Sequence, residues 1–111
     1  MHAAELIWNS WENGQKIISL PQNLIPSSRK EAYKIQEKLE KFSNDIIVGW
    51  KIAATSKEGQ KHIGVVGPLA GRILKNKLYK PEETLIFGQN KMAVAEPEFA
   101  FKIGTTLKPT K

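Results

Sequence analysis

The chain has 111 residues, of which 41% are hydrophobic and 25% charged, and it carries a net charge of +6. This length fits one small domain, and the composition is ordinary for a globular protein. The sequence has no cysteine, which excludes disulfides and thiolate metal sites. No stretch approaches the roughly 20 apolar residues of a membrane span. The N-terminus lacks the pattern of a signal peptide, so we expect a cytoplasmic protein.

The excess of positive charge lies in residues 61–111, where nine cations stand against four carboxylates. These cations are mostly lysine and are dispersed along the segment. No recognised nucleic-acid-binding motif accompanies them. We therefore expect neither nucleic acid nor a membrane surface as a partner.

Two helices are predicted in the N-terminal region, residues 1–45. Apolar and small residues recur at helical spacing from Ala3 to Ile18, and the two prolines of "LPQNLIP" end this first helix. Ser28 followed by Glu31 is a capping-box pattern, which predicts a second helix from there to about Phe42. The residues expected on the inner face of the second helix are Ala32, Ile35, Leu39 and Phe42.

From residue 46 the apolar period changes to two, and "IIVGWKIAA" predicts a strand. One face would carry the large apolar residues Ile46, Val48, Trp50 and Ile52. Lys51 lies on the other face, between the small residues Gly49 and Ala53, which leave room around its side chain. A lysine in this place either discourages aggregation at a sheet edge or meets another molecule.

The middle of the chain reads as short elements and turns. "TSKEGQKHIGV" predicts a capped helical turn, on which His62 is either a surface residue or part of a site. "GPLAGRI" predicts a tight glycine–proline loop. That loop is not a phosphate-binding loop, because the required lysine and hydroxyl are missing. "IFGQNKM" predicts a strand end and a turn.

"MAVAEPEFAF", residues 92–101, predicts a strand with two carboxylates on one face. Side chains alternate along a strand, so Glu96 and Glu98 point the same way, and Phe99 and Phe101 form a core face. Two neighbouring carboxylates repel each other unless a positive group lies between them. The pattern fits either a solvated strand face or the binding of a cation.

Four segments, "EAYKIQ", "VGWKIAATS", "IGVVGPLAGRIL" and "AEPEFAFKIGTTL", occur in this order. Together they resemble the 2-keto-4-pentenoate hydratases of the fumarylacetoacetate hydrolase superfamily, over about residues 28–107. The resemblance implies an α+β fold, with an N-terminal helical region at 1–45. Residues 46–111 would then form the first strands of a mixed β fold, the start of a catalytic β-rich domain. The implied activity adds water to a 2-hydroxy-2,4-dienoate, giving a 4-hydroxy-2-oxo acid in aromatic-compound catabolism.

The resemblance also implies a site. It implies Mg²⁺ or Mn²⁺ held by three carboxylates, two of which match Glu96 and Glu98, while the third would lie outside this sequence. Lys51 matches a strand lysine of the family and is expected to be catalytic. Family members carry an acid where this chain has Leu69, and part of its role could pass to the possible substrate-binding residues His62 and Arg72.

Family enzymes are considerably longer than this chain, so we expect it to be the N-terminal portion of one and inactive alone. We also expect a homo-oligomer or a complex with a complementary C-terminal half. A decarboxylase or a C–C bond hydrolase of the same superfamily, acting on a related 2-oxo acid, fits the same residues. A non-catalytic remnant that binds a partner is the alternative from another class.

Overall fold

The computed structural model describes residues 2–88 and 91–109, and it has an α+β architecture. Its elements, in chain order, are α1 (Ala3–Glu12), α2 (Arg29–Ser43), β1 (Ile47–Ala53), α3 (Lys57–Ile63) and β2 (Leu69–Leu74), with 3-10 turns at Gln22–Leu24 and Lys75–Lys77. The two strands form one antiparallel sheet. The α+β class is confirmed, whereas the particular mixed β fold and the boundary at residue 45 stay predictions. None of the helices in the described part of the chain has the length and apolarity needed to cross a bilayer.

The first helix is shorter than predicted. It ends at Glu12, so the apolar residues 17–18 lie outside it. Gly14 adopts a left-handed conformation with φ 59°. The amides of Gly14 and Gln15 donate to carbonyls of the last helical turn at 3.1 and 2.8 Å. This is the Schellman arrangement, and it ends the helix even though the apolar spacing continues.

The second helix begins and ends where it was predicted, within one residue. The Ser28 hydroxyl accepts a hydrogen bond from the Glu31 amide at 3.2 Å, as a helix cap should. The Glu31 carboxylate accepts from the amide and the hydroxyl of Ser27, both at 2.7 Å, and thus reaches one residue further back than a capping box does. The helix ends at Ser43, and the C-cap residue Asn44 has a left-handed φ of 49°.

The predicted inner face of α2 is only half right. Ile35 and Leu39 are half-buried, but Ala32 and Phe42 are exposed. The reason is that much of the contact with the sheet is made by polar side chains, which an apolar pattern does not reveal. These side chains lie at i, i+4 and i+7 on the helix, and they belong to Arg29, Tyr33 and Gln36.

Those three side chains cover the free edge of β2. The Tyr33 hydroxyl accepts a hydrogen bond from the Ala70 amide at 3.0 Å, and Gln36 Nε2 donates to the Ala70 carbonyl at 3.1 Å. Arg29 donates to the carbonyl of Val66 at 2.6 Å, just before the strand. The helix therefore satisfies main-chain groups that a third strand would otherwise pair.

The strand predicted around Lys51 is confirmed, shortened by one residue at each end. Its pairing contains a bulge at Val48, because Ile47 lies opposite Leu74 while Gly49 lies opposite Ile73. Beyond the bulge the register is regular. Lys51 lies opposite Gly71 and Trp50 lies opposite Arg72.

The partner strand β2 was not predicted. Its sequence, "LAGRIL", overlaps the segment "GPLAGRI" that was interpreted as a glycine–proline loop, and the bend covers only Val66 and Gly67 before it. Gly67 has a φ of 83°, which a residue with a side chain rarely adopts. Two small residues, Ala70 and Gly71, hide the apolar alternation by which a strand is usually recognised.

The strand predicted at residues 92–101 is wrong. Among the described residues from 91 to 109 there is neither helix nor strand. Phe99 and Phe101, expected on a core face, are 99% and 88% exposed. In "IFGQNKM", which was predicted as a strand end and a turn, Ile86 and Phe87 form no strand and Gly88 lies in a turn. Residues 89–90 of this predicted turn lie outside the described residues. A strand exists only with a neighbour to pair with, and local pattern does not supply one.

Candidate functional site

Lys51, Glu96 and Glu98 meet in space. Lys51 Nζ lies 3.1 Å from Glu96 Oε2 and donates a hydrogen bond to Glu98 Oε1, which is 47 residues away in sequence. The Lys51 ammonium is thus the positive group that the two neighbouring carboxylates require. All three side chains remain about half exposed, at 42%, 58% and 47% respectively.

The sheet register gives Lys51 its freedom to reach the carboxylates. Gly49 and Ala53 flank it on the same strand face, and Gly71 lies directly opposite on β2. None of these neighbours has a side chain larger than a methyl group. The long lysine side chain can therefore extend over this face of the sheet to the C-terminal segment.

The two glutamates reach the same ammonium without belonging to a strand ladder. Pro97 lies between them and fixes its own φ near −65°. It also favours an extended backbone at Glu96, the residue before it. The alternation predicted for a strand is thus replaced by a locally stiff Glu-Pro-Glu segment, and both carboxylates still point to one place.

The carboxylates raise the pKa of Lys51. The hydrogen bond to Glu98 is the largest cause, followed by the contact with Glu96, and partial desolvation opposes both. Lys51 is therefore protonated throughout the neutral range. In this arrangement it can offer a positive charge and hydrogen-bond donors, but it cannot act as a general base.

Arg72 is not brought to this cluster. Its guanidinium stacks over the Trp50 ring at 4.8 Å, donates to Gln36 Oε1 at 2.9 Å and forms an ion pair with Glu40. Trp50 and Arg72 form one cross-strand pair, and Lys51 belongs to the next pair. The side chains of Trp50 and Arg72 therefore lie on the face of the sheet opposite to that of Lys51. Arg72 thus holds α2 against the sheet on the face away from Lys51.

His62 is not brought to it either. It lies exposed in the last turn of α3, and no contact joins it to Lys51 or to the two glutamates within residues 2–88 and 91–109. Leu69, in contrast, shares the face of Lys51. It lies opposite Ala53 and two residues before Gly71, the residue that faces Lys51.

The donor set of the cluster is suited in kind to a hard divalent cation. Carboxylate oxygens are the side-chain ligands that Mg²⁺ and Mn²⁺ prefer. In the described part of the chain, no group of three or more histidine, cysteine, aspartate or glutamate side chains could hold a metal ion. Glu96 and Glu98 could thus supply two ligands, at the point that the Lys51 ammonium takes in this structure.

The polar residues that build the frame of the site were not predicted. Gln60 is buried, donates to the Ala54 carbonyl at 3.0 Å and accepts from the Gly67 amide at 3.1 Å. It ties the end of β1 to the turn before β2. The spacing of Arg29, Tyr33 and Gln36 was a detectable signal, whereas nothing in the local sequence distinguishes Gln60 from a surface glutamine.

No family model, no curated protein and no solved structure matches this chain.

Proposed function

We propose that this chain carries part of the active site of a 2-keto-4-pentenoate hydratase-type lyase of the fumarylacetoacetate hydrolase superfamily. The observation that carries the proposal is the convergence of Lys51 with Glu96 and Glu98. These three residues were singled out from two separate segments of sequence. A chance surface cluster would not need to contain all three of them.

In this proposal Glu96 and Glu98 hold Mg²⁺ or Mn²⁺, and the substrate is a small 2-hydroxy-2,4-dienoic acid. The cation, when bound, would polarise the 2-oxo oxygen that forms as the dienol becomes a ketone. Two carboxylates leave coordination positions free for substrate oxygens and water. The two glutamates thus supply the negative charge that keeps the cation in place.

Lys51 is the proton-bearing group of the cluster. Because its pKa is raised, the ammonium would bind an anionic oxygen of the substrate and stabilise negative charge that develops there. The ammonium can contact the substrate only if it breaks its contact with at least one glutamate. A bound cation would favour this, because it would replace the ammonium as counter-ion of the carboxylates. Cation binding would in this way release Lys51 toward the substrate.

The competing interpretation is a structural ion-pair cluster, which belongs to a non-catalytic remnant. It is favoured by the fact that Lys51 already serves as counter-ion to both glutamates. The two interpretations differ in what Mn²⁺ does. A structural cluster gains nothing from the cation, whereas the proposed site binds it through both carboxylates.

The deciding experiment is titration of the chain with Mn²⁺, alone and with oxalate, which presents two neighbouring oxygens as a 2-oxo acid does. We expect weak binding that oxalate tightens, because Mg²⁺-type sites gain affinity from substrate oxygens. Glu96→Gln and Glu98→Gln should each lower the affinity about tenfold or more, since each removes one of few anionic ligands. Exposed Glu37→Gln is the matched control and should change nothing.

Unchanged Mn²⁺ affinity in both glutamine variants would overturn the metal site. Dienol-consumption, decarboxylation and C–C hydrolysis assays, run in parallel with Mg²⁺, then distinguish the hydratase from its relatives on 2-oxo acids. In this proposal the chain belongs to a cytoplasmic lyase of aromatic-compound catabolism.

A further inference from the structure

The outer edge of β1 presents main-chain groups without a partner. Tyr33 and Gln36 take the amide and carbonyl of Ala70, so these groups point away from β1. Two residues directly opposite each other in an antiparallel pair point their amides and carbonyls either both toward each other or both away from each other. Ile52 lies opposite Ala70, so its amide and carbonyl face the outer edge. Within the described ranges no hydrogen bond reaches them, or those of Trp50, which share their orientation.

This edge lacks most of the features that normally prevent strand addition, apart from the bulge at Val48 near the start of the strand. Proteins protect edges with prolines, with free charges or by covering them. β1 contains no proline, and its one charged residue is Lys51. The Lys51 ammonium is engaged by Glu96 and Glu98, so it is not a free charge. Trp50 and Ile52 are 53% and 49% exposed beside the open edge.

The exposed area of the chain is larger than that of a compact monomer. Its accessible surface is 10102 Å², whereas a compact monomer of 12.5 kDa exposes about 6,200 Å². The difference, about 3,900 Å², exceeds the roughly 1,000 to 2,500 Å² that each partner buries in an obligate interface. Many large apolar side chains, among them Val94, Phe99, Phe101 and Ile103, contribute to it.

We propose that a second copy of this chain pairs antiparallel along the outer edge of β1, so that two two-stranded sheets join into one of four strands. A strand edge is self-complementary about a two-fold axis, because each residue offers one donor and one acceptor. An axis at Trp50 places Lys51 opposite Gly49 of the second copy and Ile52 opposite Val48. No like charges then lie directly opposite each other across the new ladder. This inference does not depend on the proposed enzymatic function.

The test is sedimentation equilibrium of the chain between about 1 and 100 µM. We expect a dimer with twice the mass of 12.5 kDa. Ile52→Lys adds an unbalanced charge at the edge and should raise the dissociation constant of the dimer about tenfold or more. The matched control is Val66→Lys, at a 92% exposed residue of the loop before β2, and it should remain dimeric.

A monomer at 100 µM, a dimer unaffected by Ile52→Lys, or equal dissociation of both lysine variants would each overturn the proposal. Hydrogen exchange on the unaltered chain provides a readout that needs no variant. The amides of Trp50 and Ile52 should exchange more slowly at high than at low protein concentration. Equal exchange at both concentrations, in a sample that sediments as a dimer, would place the interface elsewhere.

Discussion

Lys51 balances two carboxylates with one positive charge, so the cluster that it forms with Glu96 and Glu98 keeps a net charge of −1. The chain as a whole has a net charge of +6. A locally negative group on a positive chain is suited to hold a cation, provided that the cation can replace the ammonium. The resemblance implies a catalytic role for Lys51, and the contact with both glutamates adds an expected effect on cation affinity.

Lys51→Met should therefore raise the affinity for Mn²⁺ by about fivefold, the factor that matches one charge–charge contact of about 4 Å in water. Lys57→Met, which removes an exposed lysine at the start of α3, is the control and should leave the affinity as it is. Calorimetric titration of both variants measures the effect. If Lys51→Met binds Mn²⁺ no more tightly than the unaltered chain, the ammonium does not compete for the carboxylates.

Asp45 illustrates a residue whose role could not be found in the sequence. Its two carboxylate oxygens accept hydrogen bonds from the amides of Asn76, at 2.8 Å, and Ile46, at 2.7 Å. These contacts join the start of β1 to the turn after β2. They also hold the pKa of Asp45 below its ordinary value, with the Asn76 amide as the largest cause.

The lowered pKa of Asp45 predicts how stability depends on pH. The contribution of this residue is fully present above its unfolded pKa of about 3.9, and it is lost as the pH falls through the lower folded pKa. The urea midpoint of the unaltered chain should thus fall between pH 5 and pH 3. The urea midpoint of Asp45→Asn should be lower than that of the unaltered chain at pH 7 and should fall less steeply as the pH decreases. The exposed Glu37→Gln should behave like the unaltered chain. Parallel pH curves for Asp45→Asn and the unaltered chain would contradict this role.

Helices and strands were predicted correctly where the local sequence specifies them. The second helix has its own cap at Ser28, and β1 has a clean period of two, so both were predicted within one residue. The strand β2 was missed, and a strand at 92–101 was predicted where none exists in the described residues. Strands depend on a partner elsewhere in the chain, and a partner cannot be read from local pattern.

The docking of α2 on β2 yields a prediction for stability. Gln36 donates to the Ala70 carbonyl and accepts from Arg72, so Gln36→Leu leaves two partly buried polar groups without a partner. The loss in free energy of unfolding should be about 1 to 3 kcal/mol. Gln22→Leu makes the same change at an exposed position and should cost much less. Urea unfolding of the two variants measures the difference, and equal losses would show that α2 is held by other contacts.

The register of β2 yields a prediction for the site. Leu69 lies on the face of Lys51, at the position where the resemblance implies an acid. Leu69→Glu would add a third carboxylate to this face, and the affinity for Mn²⁺ should rise, because affinity follows the number of charged ligands. Leu69→Gln has nearly the same shape without the charge and serves as the control. A rise in both variants, or in neither, would show that residue 69 does not face the cluster.

The core of the molecule is too small for the length of the chain. The buried apolar residues are Ala3, Ala4 and Leu74, and no large side chain in the described residues is fully buried. The radius of gyration is 15.8 Å, against about 13 Å for a compact domain of this length. A sequence with 41% hydrophobic residues has enough apolar material for a larger core. That material lies on the surface because the chain by itself offers little to bury it against.

Stability of this molecule should accordingly depend on protein concentration. A chain that folds fully only as a dimer gains about 1.4 kcal/mol of apparent stability per mole of dimer for each tenfold rise in concentration. The urea midpoint should therefore rise between 1 and 100 µM protein, and circular dichroism and tryptophan fluorescence should report the same transition. Ile52→Lys should lower the midpoint at each concentration, because it weakens the dimer, whereas Val66→Lys should behave like the unaltered chain. A midpoint independent of concentration in the unaltered chain would mean that the small core of one chain is sufficient, and that the open edge of β1 contributes nothing to its stability.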